Sequence, residues 1–522
     1  MNSYHVGNST MQNCSSNLMD RILLHGLIDI LCDYLVIADV EKIRVIHPCI
    51  SNYLRMGFKR DIYVQDYKYA AHIAATYPRV RFMLKDKSVF PKTIEKFSDK
   101  IIEMHFNNNT VDADILNMAN FSTLETLSVY DCHTIENYQF EKLSLLTSLR
   151  ISSGVSRTDF KHCENLRSLT VYTNGSFTNE GLAELTKLTH LTLGCYNLIT
   201  DVGISNLISL EVLDISYNNL ITNAGISELV NLRELNLDGT ENVTVDSLKK
   251  MSRLEKLVSS GLIEVKDCTL ASLTSLDIRR YCNYNFDFLA VFNLVELRIS
   301  TRNCLNVKCW DSLTNLTGLY FYSYMVSVVS HKKAKSYDIP PGAINHCKKL
   351  EILHMDNCVI PDEDIQQLFS LRSLRLCYNS KVTDATLRGL TNLTHLMLEE
   401  NDIVTDKGLC ALVKLSKLEM TGSSSKITDA GLLGFTNLTS LSLEGNRHLD
   451  DKAIGHLTDL IELDLYRTKC VTYEGVSLLT NLISLRLSEC SVFHKKDIVR
   501  LQRKGVIVTL EYDKELKLLS VN

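Results

Sequence analysis

Residues 188–237 read LTHLTLGCYNLITDVGISNLISLEVLDISYNNLITNAGISELVNLRELNL. The pattern L-x-x-L-x-L begins at Leu188, returns at Leu210 and returns again at Leu232, a period of 22 residues each time. Within each copy the apolar residues first alternate, the period of a half-buried strand, and then follow a T-D/N-x-G-[LI]-x-x-L segment with helical spacing. A strand and one short helix cannot bury their apolar faces alone. Stacked copies can, so the stretch predicts a solenoid with one continuous core.

Working outward, copies start at intervals of 19 to 23 residues from Ile101 to Leu482, with a weak last copy at Gly505. One interval breaks the rule, the 34 residues from Leu316 to Leu350. Upstream the pattern is faint: Ile62 and Val64 alternate, and Tyr77, Val80 and Phe82 fit it loosely. Residues 57–100 are therefore expected to be degenerate leading repeats or a cap, and 101–522 the repeat array.

The leucines of each alternation should face the core and the residues between them the opposite, concave surface. Three residues beyond the second inward apolar position comes the residue that closes the turn: Asn174, Asn218, Asn379, Asn401 and Asn446, or Cys132, Cys358 and Cys490. An amide there satisfies backbone groups that a bend would orphan. Thr200, Thr383, Thr405 and Thr428 are suited to cap the helices, each with an Asp in the first turn where the helix dipole favours it. The Cys variants, together with I-T-D-x-G-L at Ile427–Leu432, resemble the cysteine-containing class of leucine-rich repeats. The resemblance implies an α/β leucine-rich repeat solenoid, a horseshoe with a parallel concave sheet and convex helices.

Totals narrow the function. The 522 residues carry a formal net charge of -5, with 45% hydrophobic and 22% charged residues, so neither nucleic acid nor an anionic membrane is expected as partner. Residues 1–20 are polar, expected to be a disordered tail, and lack the form of a secretory signal; no stretch has the length of a membrane span. An intracellular, cytoplasmic or nuclear location follows as an expectation. The 16 cysteines show neither C-x-x-C pairs nor zinc spacing, so no disulfide framework, metal or cofactor is expected. The sequons at Asn315, Asn392 and Asn437 lie in the recurrent N-L-T of the repeat and read as consensus residues. Glycine-rich phosphate loops, H-E-x-x-H and G-x-S-x-G are all missing, so no enzyme is indicated.

Before the array, apolar residues at helical spacing (Leu24, Leu27, Ile28, Leu31 and Leu35) form one stripe. Asp39 then stands as an N-cap before a second stripe with Val40, Ile43 and Ile46. The run L-x-x-L-I-x-I-L-x-x-Y-L-x-x-x-D-V-x-x-I-R-x-I, from Leu24 to Ile46, resembles the F-box, a helical module that docks on the adaptor of cullin-based ubiquitin ligases. The resemblance assigns residues 21–56 to that module and makes Leu24, Leu27, Ile28, Leu31, Leu35, Val40 and Ile43 the adaptor-binding positions. The family's early Leu-Pro is replaced by a neighbourhood containing His25 and Gly26, and Ile50 stands where it generally carries Trp. The alternative is a purely structural cap that shields the first repeat from water.

The register also maps the concave surface. Early turns offer Tyr130, Arg150 and Tyr172, then acidic Asp214, Glu234 and Asp238. The middle turns basic and aromatic at Arg279, Arg280, Arg298, Tyr320, Tyr322, His354, Arg375 and Tyr378, the side chains enriched at binding hot spots. Acidic residues return at Glu399, Glu400, Glu419, Glu444, Glu462 and Asp464. The long interval contributes an insertion near 322–345 containing His331, Lys332, Lys333 and Lys335. These observations point to a substrate receptor of a cullin-based ligase, with an unknown target protein on the middle patch. A freestanding scaffold or inhibitor, and an effector that binds a phosphorylated or nucleic-acid ligand, remain as alternatives.

Overall fold

The protein is described from a computed structural model. It covers residues 61–63, 67–76, 81–87, 92–107, 121–130, 143–152, 163–172, 178–195, 197–260, 270–278, 289, 293–300, 310–322, 337–356, 358–377, 382–422, 426–488 and 492–511. The F-box-like segment and residues 323–336 of the insertion lie outside these. The chain divides into two compact units, residues 1–207 and 208–522.

In the first unit seven parallel strands pair in sequence order, from Asp61–Tyr63 and Arg81–Lys87 to Ser168–Tyr172 and His190–Leu193. In the second, fourteen parallel strands do the same from Val212–Asp214 to Ile507–Glu511. The register is that of the sequence repeat. Leu213 stands beside Leu235, Leu235 beside Leu257, and the column continues to Leu463 and Leu485, all buried. Burial alternates along strands such as Ile352–Asp356, Ser373–Cys377 and Lys417–Thr421, so one face of the sheet packs on the core and the other is partly open. Opposite the open face run short helices such as Asp384–Gly389, Asp406–Leu409 and Asp451–Ile454. This is the leucine-rich repeat solenoid.

The turn-closing amides work as the repeat demands. Asn446 is fully buried, and its Oδ1 accepts from the backbone N of His448 (2.9 Å) and Leu449 (3.0 Å). Asn401 does the same for Ile403 and Val404. In the copy that starts at Leu188 the role falls one residue later, on Asn197, which accepts from Ile199 N and donates to Gly194 O. Cys358 takes the position as a buried thiol. Just before these residues the backbone turns left-handed, at Gly239, Gly422 and Gly445 and also at Tyr217, Glu400 and Arg467. The N-L-T sequons bond backward: Asn392 Nδ2 donates to Phe369 O (3.0 Å) and Thr394 Oγ1 to Arg372 O (3.1 Å).

The first-turn acids do more than complement a dipole. Asp384 Oδ1 accepts from Thr405 N (2.7 Å) and its Oδ2 from Thr405 Oγ1 (2.6 Å), one repeat further on. Asp406 clasps Thr428 and Asp451 clasps Thr472 by the same pair of bonds; Asn179 and Asn223 likewise accept from Thr200 N and Thr244 N but donate through Nδ2 to the threonine hydroxyls. The glycine of T-D-x-G makes the room. A Cβ on Gly408 would lie 2.6 Å from Asp384 Oδ1 and 3.2 Å from Asp384 Cα. Ala453 stands at that place in one turn, and there the Asp429 bond to Asp450 N lengthens to 3.3 Å.

The insertion returns to the fold through Tyr337–Asp338, which pairs in parallel with Cys358–Val359. Gly342 N then donates to both oxygens of buried Asp364 (3.0 and 2.8 Å). The Trp310 indole is buried beside Phe321, their rings 6.1 Å apart, so it is a packing residue.

Removing one clasp should be measurable. Asp384→Ala leaves Thr405 N–H and Oγ1 without their acceptor and is expected to cost about 1–3 kcal/mol, read as a lower urea midpoint. Gly408→Ala should act in the same direction by displacing that carboxylate, whereas Asp402→Ala, on the exposed loop, should stay within about 0.5 kcal/mol.

Candidate functional site

The open face of the second unit is lined by the residue between the two inward apolar positions of each strand. Strand pairing sets Arg298 beside Tyr320, Tyr320 beside His354, His354 beside Arg375 and Arg375 beside Met397. Tyr322 lies two residues along the same strand as Tyr320 and on the same side. Five of the sequence-derived target-binding residues thus share four neighbouring strands. Arg279, Arg280 and Tyr378, with all seven adaptor-binding positions, lie outside the described residues.

The side chains touch. The Arg298 guanidinium sits 4.7 Å from the centre of the Tyr320 ring. Tyr320 and Tyr322 are stacked, with centroids 6.4 Å apart and planes 5° from parallel, and His354 meets Tyr320 edge-on at 4.9 Å. These contacts hold long side chains in place, the kind of ordering that lowers the entropy a binding surface loses.

Each arginine also has carboxylates. Arg298 Nη2 donates to Glu296 Oε1 at 2.5 Å; Glu296 offsets the burial that opposes the guanidinium's charge and raises its pKa. Arg375 lies 3.1 Å from Asp356 and 4.0 Å from Glu399, and its Nε donates to Cys377 Sγ at 3.1 Å. Burial pushes the Asp356 carboxyl above the usual range against the pull of Arg375. Burial and the Arg375 charge hold His354 below its ordinary value. The patch expected to be basic is therefore compensated in place, with a neutral imidazole between two paired guanidiniums. Glu296 and Asp356 were legible in principle, because each sits two residues from a patch residue and so on the same face of its strand.

A second cluster escaped the sequence map, which recorded only acids there. Tyr466 has two guanidiniums over its ring, Arg486 at 4.6 Å and Arg467 at 5.3 Å. Arg486 Nη1 donates to Asp464 Oδ2 (2.8 Å) and reaches Glu444 Oε2 (3.5 Å). Burial and neighbouring Asp464 raise the Glu444 pKa.

Other chemistry is sparse. Among the described residues no group of three or more His, Cys, Asp or Glu is placed to hold a metal ion, and no helix is long and apolar enough to cross a membrane. Cys163, Cys347, Cys358 and Cys377 are buried thiols, and burial pushes Cys163 up to about 12 and Cys347 to about 11. Cys195, Cys410 and Cys470 are exposed.

No protein-family model matches the chain, and no curated protein matches it. Among solved structures it is similar to the TLR13–ssRNA13 complex, at 21% identity over 78% of this chain and 70% of that one, with a TM-score of 0.50. It also matches a leucine-rich repeat protein of Leptospira interrogans, at 18% identity over 86% of this chain and 99% of that one, with a TM-score of 0.32. An internalin of Listeria monocytogenes matches at 20% identity over 72% and 88%, with a TM-score of 0.30. At these identities the likeness is one of fold.

His354 provides a pH test. Its folded pKa lies below its unfolded one, so the unfolded chain takes up the proton first and stability falls as pH drops below about 6.5. Between pH 7.5 and 5.5 the urea midpoint of the protein should fall more than that of His354→Gln.

Proposed function

We propose that the chain is a non-catalytic protein-recognition module that holds a target polypeptide on the open face of the sheet. In the finer form of this reading it is the substrate receptor of a cullin-based ubiquitin ligase, docked on the adaptor through the F-box-like residues 21–56. The observation that carries the recognition role is the ordered array Arg298–Tyr320–His354 with Tyr322 and Arg375 alongside. Tyrosine and arginine dominate binding hot spots, and here they are fixed on adjacent strands yet remain partly exposed. The ligase role is supported by the resemblance of Leu24–Ile46 alone, and an intracellular location belongs with it. A phosphate-binding role is less well supported, because Glu296, Asp356 and Glu399 already engage the two arginines.

Affinity purification of the intact chain beside one lacking residues 1–56 tests the finer reading. Adaptor and cullin should accompany the intact chain only; if neither chain brings them down, a freestanding scaffold or inhibitor remains. For a target captured by the intact chain, Tyr320→Ala should cost about 2 kcal/mol, roughly thirtyfold in affinity, by titration calorimetry.

A further inference from the structure

Two places on the open face of the second unit share one composition. At one, Arg298 lies over Tyr320, which also stacks with Tyr322; at the other, Arg486 and Arg467 lie over Tyr466. Each arginine that reaches inward is tied to a carboxylate of its own neighbourhood, Glu296 in one case and Asp464 in the other. Tyr322 and Tyr466 occupy equivalent positions, the residue just after the second inward side chain of the strand. Both clusters set a guanidinium over a tyrosine ring on one sheet, the ring under Arg298 being that of Tyr320, between the inward side chains, and the ring under Arg486 that of Tyr466, just beyond them.

Their separation follows from the pairing. From Gly318–Tyr322 the sheet passes through the strands beginning at Ile352, Ser373, His395, Lys417 and Ser440 to reach Glu462–Leu465. Six steps at about 4.8 Å give roughly 29 Å. An extended chain at about 3.3 Å per residue spans that distance in about nine residues.

The ground between the clusters has its own character. The strands that begin at His395, Lys417 and Ser440 and the first residues of the turns after them present Glu399, Glu400, Glu419 and Glu444 against Lys417, with Lys426 and Arg447 further along the turns and Arg375 and Arg486 reaching Glu399 and Glu444 from the flanking strands. Lys417 is committed to Glu419 at 2.8 Å. At the rim Gly422 and Gly445 carry no side chain, leaving the turn low where Glu400 leans over Gly422: a Cβ there would lie within 2.5 Å of the Glu400 carboxyl carbon. A segment crossing this ground meets negative charge and little steric obstruction.

We propose that the open face of the second unit binds one extended polypeptide segment at two points, with apolar or aromatic side chains about nine residues apart on the Tyr320 and Tyr466 clusters and lysine or arginine side chains between them. The inference rests on the open-face recognition role and specifies the partner that fits it. Two weak contacts on one strand reinforce each other only when the linker matches the span, so spacing is the diagnostic variable. The cationic middle follows from complementarity with the four glutamates and brings a dependence on ionic strength.

The probes are synthetic fluorescent peptides with two tryptophans separated by three, eight or fourteen residues of alternating lysine and serine, titrated by anisotropy into the full chain. The eight-residue spacer should bind at least tenfold tighter than the other two. Tyr320→Ala and Tyr466→Ala should each remove that advantage, and Tyr320→Phe and Tyr466→Phe, which keep the rings and the packing, should retain it. Glu419→Lys, at a partly exposed position on the strand face, should weaken the lysine peptide several-fold and leave a serine-only spacer unchanged. Equal affinity across the three spacers, or sensitivity to Tyr320→Ala with none to Tyr466→Ala, overturns the two-point arrangement and leaves the Tyr320 patch standing. If no peptide responds to either tyrosine, the open face is not the recognition surface and both readings fall.

Discussion

The clasp between a first-turn aspartate and the threonine one repeat later is the interaction on which the helical side of this solenoid depends. Leucine burial makes turns stack but is indifferent to sliding, because one leucine column resembles the next. A carboxylate that must meet both N–H and Oγ of a single threonine is directional. Glycine leaves room for the carboxylate at 408, 431 and 475, with Asp384, Asp406 and Asp451 lying over them, while at Asp362 the place is filled by Thr386, whose hydroxyl bonds the same carboxylate. The three parts of T-D-x-G therefore belong to two different turns.

A stack held this way leaves its other face open. Because the leucines and the clasp fix each turn on its neighbour, the residues between the leucines come into line across strands at sheet spacing. Arg298, Tyr320, His354 and Arg375 are scattered over 78 residues of chain yet stand on consecutive strands. Their contacts cost little to maintain, since the strands are held from behind. The charge balance of this row is also a product of the alignment: Arg375 lies between Asp356 and Glu399, which belong to the strands on either side of its own.

Much of this was legible in advance. The 22-residue period assigned the strands and the inward leucines and placed Arg298, Tyr320, Tyr322, His354 and Arg375 on one surface; the parallel order came with the resemblance to leucine-rich repeats. It misjudged the charge around Arg298 and Arg375, because the map passed over Glu296 and Asp356, which pair with these two arginines. It passed over Tyr466 and Arg486, whose significance comes from the 4.6 Å approach of two side chains 20 residues apart. It also missed Asn197, since the turn there runs one residue longer than the period allows.

What the sequence by itself determined is the repeat: which residues alternate, which turn, and which must be buried. That information is local and periodic, and a strand's two-residue alternation and a helix's three-to-four spacing can be counted without coordinates. What only the tertiary structure decided is partnership. Asp384 reads as a helix-dipole residue until Thr405 is seen to close on it, and Arg298 reads as free positive charge until Glu296 and the Tyr320 ring are found against it. Hydrogen bonds and ring contacts depend on ångström distances between side chains of different turns, and periodicity alone carries no distances of that kind.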